Sequence, residues 1–504
     1  MRFLLPLLAF CLAALPAAAQ PLSCDDSGVI AGEYPCSNTT LLSHVDLQTM
    51  SAQAGNDVWG WTDPVTGKEY ALMGLADGTA FVDISDPANP AYLGKLPTHT
   101  VATVWRDIKV YNDYAFIVSE ADGHGMQVFD LARLRDVAPT QGPVEFTEDA
   151  HYDRVGQSHN LVLNEETGLA VIVGNREAEG CSGGLHLVDV TDPLNPTFEG
   201  CFSEDGYTHD AQCVVYDGPD ADYQGQEICV ASNEDTVTFV DVTDRENTVE
   251  ISQAVYPNPA YTHQGWLTED HRYFVANDEL DEQRFGNNTR TLLFDVTDLD
   301  EPEFIGTYLS EYPSIDHNLY VRGDAVYMAN YRIGLRVVDA SNIEDADLME
   351  VAYFDTFPGD NANQFGGAWS TYPYFDSGVV LISDMQRGLF VVRPERTEPL
   401  ALASLTAFPW DGGVDLSWTV DAGLDASRFW VEREQNGQWM TVGTLQAVPG
   451  RTLYRFRADD LADGQHAFRV RALDADGLAA FSEPVSASLG MAAEPPVDAM
   501  DAGE

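Results

Sequence analysis

One short word recurs through most of this chain: an apolar strand that ends in Asp. It reads FVDISDPANP at 81–90, VFDLAR at 128–133, LVDVTDPLNP at 187–196, FVDVTDREN at 239–247, LFDVTDLDEP at 293–302 and VVDASN at 337–342, with a degenerate seventh copy, FVVRP, at 390–394. The residues Asp83, Asp130, Asp189, Asp241, Asp295 and Asp339 stand 47, 59, 52, 54 and 44 residues apart. A period of that size accommodates four short strands and their turns, as in one propeller blade. The fifth copy shows the order within a unit: HQGWLT, HRYFVAND, TLLFDVTD and PEFIGTY, four strand-length segments separated by Gly, Asn, Asp and Pro turns. The expected fold is therefore all-β, a seven-bladed β-propeller.

The seventh unit, GAWSTYPYFDSGVVLISDMQRGLFVVRP, ends after its third strand. TLLSHVDLQT at 40–49 resembles the fourth strand of other units, so an N-terminal strand is expected to complete the last blade and close the ring. The repeated Asp invites a functional reading, but Asp followed by Pro and Asn after a strand is ordinary turn chemistry. These residues are read as turn caps.

The N-terminus, MRFLLPLLAFCLAALPAAAQ, has the form of a secretory signal cleaved near Ala19 or Gln20. Without Cys11 of that segment, six cysteines remain: Cys24, Cys36, Cys181, Cys201, Cys213 and Cys229. An even number in an exported chain predicts disulfides, and local spacing favours pairing them in sequence order, although spacing alone leaves the connectivity open. No later apolar run is long enough for a membrane span. A formal charge of −55, from 81 acidic and 26 basic residues, argues against nucleic acid and anionic membranes as partners.

Residues 21–396 are thus assigned to the propeller and 397–490 to a second domain, in which VDLSWTV, RFWVEREQ, TLYRFRADDL and HAFRVRALD resemble a fibronectin type III β-sandwich. Residues 491–504 read as a disordered acidic tail. The longer words GNDVWGWTDPVTGKEYALMG, GYTHDAQCV, YTHQGWLTEDHRYF, DELDEQ, IDHNLYV and AWSTYPYFDSGVV, in order across residues 36–394, resemble the choice-of-anchor B family, whose units are LVIVD-type repeats. That resemblance implies an exported or cell-surface β-propeller and carries no established biochemical activity. The chain shows no LPxTG motif or apolar anchor helix, so release into the medium is one expected fate and association with the cell envelope another.

Aligning the first strand of each unit places His159, His209, His263 and His317 in one column, within QSHNLVL, YTHDAQCV, YTHQGWL and IDHNLYV. Arg106 takes the same place in the second unit, with Asp107 beside it, and Trp369 falls near it in the seventh. The first strand of a blade lines the central channel, and the loop between its second and third strands opens on the same face. Those loops supply Glu120, Glu177, Glu234, Asp278, Glu279 and Arg332. Imidazoles with carboxylates are ligands for a divalent metal ion. The expected ligand set is two or three neighbouring histidines with an acid, drawn from His159, His209, His263, His317, Glu234, Asp278 and Glu279. Arg106, Asp107, Glu120, Glu177 and Arg332 would support it. Equally, the histidines could staple one blade to the next.

Three classes of function follow. Ranked first is a binding module for a protein, peptide or glycan ligand. The second is a metal-dependent hydrolase or oxidoreductase centred on the histidine rim, and the third a structural component of the envelope.

Overall fold

The computed structural model describes residues 21–24, 27–138, 142–175, 178–395 and 402–489, the last range apart from 411, 421–425, 427, 436–437, 449, 460 and 474–476. The expected signal segment, the acidic tail and Glu177 lie outside these residues.

The chain is all-β, and the described residues of 22–394 form seven sheets, each built on four antiparallel strands, consistent with propeller blades. The fifth is representative: Thr262–Leu267, Tyr273–Asp278, Arg290–Asp295 and Glu303–Leu309 pair in chain order. The first strands of successive sheets pack side by side, and Ala368–Tyr372 of the last lies against Gly55–Thr62 of the first. Apolar residues fill the space between neighbouring sheets, as where Phe81 stacks on Phe129 at 4.6 Å. Burying such rings contributes roughly 1.5–3 kcal/mol each.

The recurrent Asp does the work of a cap. Asp83, Asp189, Asp241, Asp295 and Asp339 each accept a hydrogen bond from the backbone N–H two residues on, as does Asp130 from Ala132. Just before it, the pairing of third and fourth strands slips at Phe81/Val82, Leu187/Val188, Phe239/Val240, Leu293/Phe294 and Val337/Val338. A bulge repeated at one place bends each outer strand alike. The second sheet departs from this pattern. A 3-10 helix, Leu131–Asp136, and a strand, Val144–Glu145, that joins the first sheet intervene before its fourth strand, Ala150–Tyr152. This insertion accounts for the longest repeat step.

Thr39–Asp46 pairs antiparallel with Gly388–Pro394 as the fourth strand of the seventh sheet. The preceding Tyr34–Ser37 pairs instead with Met349–Phe354 of the sixth, which the sequence did not suggest. Disulfides join Cys24 to Cys36, Cys181 to Cys201 and Cys213 to Cys229. Such bonds persist in oxidising compartments and mark an extracytoplasmic protein. Among the described residues, no helix is long and apolar enough to cross a membrane.

Residues 402–489 form two further sheets, one of Leu402–Trp410, Gly413–Val420 and Leu453–Ala458, the other centred on Arg428–Gln435 and Gly464–Leu473. Trp418, Phe429, Tyr454 and Phe468 are buried in their shared core.

Candidate functional site

Residues at or just before the first strands of sheets three to six bring the four column histidines into a continuous arc. Ring centroids lie 4.3 Å apart from His159 to His209, 4.1 Å to His263 and 4.4 Å to His317. Trp369 and Tyr331 continue it, each 4.7 Å from His317. The arc borders a cavity of about 610 Å³ that is also lined by Glu120, Glu279, Tyr207, Tyr261, Trp105 and Phe365. Gly174, at φ +75°, lets the chain pass beneath His159, because a Cβ there would lie 2.4 Å from that of the histidine.

Hydrogen bonds orient the rings. Nδ1 of His209 lies 2.8 Å from the His263 carbonyl oxygen, and Nδ1 of His317 lies 2.5 Å from that of Trp369. A carbonyl only accepts, so Nδ1 carries the proton in both rings, and in the neutral imidazole Nε2 keeps its lone pair. His159 Nδ1 meets Glu120 Oε1 at 2.5 Å. These bonds cross between sheets, so His159, His209 and His317 staple the structure through Nδ1 while Nε2 is left for chemistry, whereas Nδ1 of the buried His263 has no hydrogen-bond partner.

Burial pushes the pKa values of His209, His263 and His317 down, that of His317 to about 3. Burial also pushes Glu279 up to about 7, opposed by the hydrogen bond that Tyr331 donates to its Oε1 at 2.9 Å. The same oxygen lies 3.9 Å from His263 Nε2 and 3.7 Å from His317 Nε2. With both rings neutral these are not ion pairs. They are three ligand atoms within 4.8 Å of one another. Tetrahedral bonds of ~2.1 Å place ligand atoms ~3.4 Å apart, so small rotations would seat an ion.

The other predicted residues do different work, and these readings are corrected. Asp278 accepts hydrogen bonds from Tyr256 Oη at 2.9 Å and from the Ala260 and Tyr261 amides at 2.6 and 2.7 Å, so it shapes the loop and does not face the cavity. Glu234 takes part through its backbone, its carbonyl accepting from Thr262 N at 2.6 Å, and it does not line the cavity. Arg106 is buried, donating to the Leu75 carbonyl at 3.1 Å with Nη1 3.1 Å from His124 Nε2. Asp107 pairs with Lys109 at 2.6 Å and accepts the Leu161 amide at 2.7 Å. Arg332 binds Asp360 at 2.6 Å and Gln364 at 3.2 Å. Of the expected supporting residues that are described, Arg106, Asp107, Glu120 and Arg332, only Glu120 lines the cavity.

The sequence reading missed Tyr331, Tyr207 and Tyr261. The two latter carried a signal, since each precedes its histidine in the repeated word YTH.

Among known protein families, the LVIVD repeat matches residues 69–98, the second to fourth strands of the first sheet. No curated protein matches the chain. Solved structures resemble it at low identity. An extracellular domain from B. thetaiotaomicron assigned to a one component system is 13% identical, with a TM-score of 0.42 over 90% of this chain and 58% of that one. This chain thus spans somewhat more than half of that protein's length. A Lactobacillus plantarum protein is 11% identical, with a TM-score of 0.43 over 80% of this chain and 99% of that one. A functionally unknown protein from Desulfotomaculum acetoxidans is 10% identical, with a TM-score of 0.40 over 62% and 87%.

Proposed function

We propose that this is a secreted or cell-surface binding protein that holds a divalent transition-metal ion on His263, His317 and Glu279 and receives its ligand in the surrounding cavity. The observation that carries this reading is the convergence of two imidazole Nε2 atoms and one carboxylate oxygen within 4.8 Å. The Trp369 carbonyl behind His317 and the Tyr331 hydroxyl on Glu279 supply the outer support that orients metal ligands. Imidazole and carboxylate donors suit zinc or a neighbouring first-row ion. Three protein ligands leave a coordination position toward the cavity, where a carboxylate or carbonyl of a peptide or glycan would bind. The aromatic residues Trp105, Tyr261, Phe365 and Trp369 would pack against the rest of it.

The architecture we read around this site is a seven-bladed propeller of the choice-of-anchor B type. The pairing of Thr39–Asp46 with the last sheet supports its closure. The two sheets of residues 402–489, packed on Trp418 and Tyr454, support a fibronectin type III-like sandwich that spaces the propeller from its attachment.

Elemental analysis and zinc titration of the natively purified protein test the proposal. One equivalent of metal is expected, lost in both His263→Gln and His317→Gln variants that still fold. Metal-free protein that also fails to bind added zinc, with variants that only melt earlier, would reduce the histidines to staples.

A further inference from the structure

Behind the Glu279 carboxylate the chain enters a short helix, Asp281–Phe285, whose first two residues are acidic and fully buried. Asp281 and Glu282 are 0% exposed, and Asp316, on the segment leading to His317, is 1% exposed. Both oxygens of Glu282, both of Asp316 and Oδ1 of Asp281 have no hydrogen-bond partner. The amides of Glu282 and Asp316 are near enough to favour charge on Glu282 but do not reach it as donors. Asp316 feels Glu282 as its strongest charged neighbour, then Asp281 and Asp278.

The positive charge available is small. Arg290 donates to Asp281 Oδ2 at 2.5 Å and lies 3.8 Å from Asp278, and it spends Nη1 on the Pro257 carbonyl. Asp278 is satisfied by its own loop. Glu282 and Asp316 are left as two buried carboxyls without a cation or a donor. An unpaired carboxylate in the interior is strongly unfavourable, so such groups are found with a bound cation or a shared proton.

We infer that Asp281, Glu282 and Asp316 form a buried binding site for a hard divalent cation, with calcium the ion that fits. All the unpartnered atoms are oxygens, and neither imidazole nor sulfur belongs to the set. That donor chemistry selects calcium or magnesium over zinc or copper. Magnesium keeps several of its waters, whereas a site walled off from solvent and built of carboxylates from two separate segments suits calcium's larger and less regular shell. The oxygens do not yet converge within 4.8 Å, as those of the histidine site do. The ion would therefore draw the helix and the Asp316 segment together. Because Glu279 and His317 flank these two segments, calcium here would brace the neighbouring site without touching its ligand.

The test uses the full mature chain, stripped with EDTA and titrated with calcium chloride by calorimetry and thermal unfolding at pH 7.5. Magnesium chloride serves as the control for screening of the acidic surface. We expect one calcium per chain and a rise in Tm of about 3 °C or more at a hundredfold excess over Kd. Magnesium should not reproduce the rise, and Glu282→Gln and Asp316→Asn should abolish it. His263→Gln should keep the calcium response while losing zinc, which separates this inference from the proposed function. Equal, small shifts with both salts in every variant would overturn it. So would an absence of calcium binding in the native chain together with higher melting of Asp316→Asn, the signature of two carboxyls sharing a proton. Should either variant fail to fold, the calorimetric stoichiometry of the native chain decides: one supports the site and none overturns it.

Discussion

Replacing His317 with Gln measures how firmly the fold holds its imidazoles neutral. Burial, followed in strength by the opposing Trp369 carbonyl bond and then by the His159 ring, brings the folded pKa of His317 from 6.5 to about 3. A depressed folded pKa means that the unfolded chain binds the proton first. The stability this group contributes is therefore complete above ~pH 6.5 and is lost as pH falls toward the folded value. Inside that window each pH unit costs about 1.4 kcal/mol, so roughly 2–3 kcal/mol disappears between pH 6.5 and 4.5. Glutamine does not titrate and keeps an amide donor for the Trp369 carbonyl. The stability gap between the native protein and the variant should thus shrink by about 2–3 kcal/mol from pH 7.5 to 4.5. Buried carboxyls, which act in the opposite direction over the same range, are common to both proteins and cancel in the difference. Urea denaturation in the presence of chelator, at half-unit pH steps and followed by tryptophan fluorescence, reads the gap directly. A gap that stays constant within about 0.5 kcal/mol would refute the claim that the ring is held uncharged.

Other outcomes are equally specific. Glu279 has a folded pKa raised to about 7, so zinc binding to the stripped protein at pH 6 should release close to one proton, and affinity should rise between pH 5 and 7 and then level off; calorimetry in two buffers of different ionisation enthalpy checks this. Tyr331→Phe removes the donor to Glu279 and should weaken zinc about three- to tenfold with little change in Tm, as measured by competition with a chromogenic chelator. Gly174→Ala places a Cβ 2.4 Å from that of His159 at a positive φ and should cost about 2–4 kcal/mol in denaturant unfolding. Replacing Cys24 and Cys36 together with Ser should cost about 2–4 kcal/mol, visible as a lower Tm under oxidising conditions.

The repeated architecture was legible because turn chemistry and strand patterning are local. An Asp at the end of a strand caps its turn whatever lies beyond, so the six copies could be read without knowing how the sheets pack. The histidine column was legible for a related reason, since strands in register carry equivalent residues to equivalent places. The acids were not. Glu279 and Asp278 are neighbours in sequence, yet one faces the histidines and the other folds back onto Tyr256 and the loop amides. Which of two adjacent carboxylates turns inward depends on loop backbone geometry, and composition does not encode it. Arg106 shows the limit of the column itself: the longer side chain, placed where four other units have His, is buried against the Leu75 carbonyl and does not line the cavity.

The strand Thr39–Asp46 and its partner Gly388–Pro394 lie near opposite ends of the chain, and Thr40 donates to Glu395 across 355 residues. During synthesis Thr39–Asp46 therefore emerges long before Gly388–Pro394, and the edge that this partner covers stays open to pairing with other chains in the meantime. Contacts that distant are slow to form, and an unpaired edge in the interim invites aggregation. His44 and Asp46, both exposed on this strand, place polar and charged groups along it. Until Gly388–Pro394 has been made, that edge of Thr39–Asp46 has no partner in its own chain, and this interval is when pairing with another copy is most favoured.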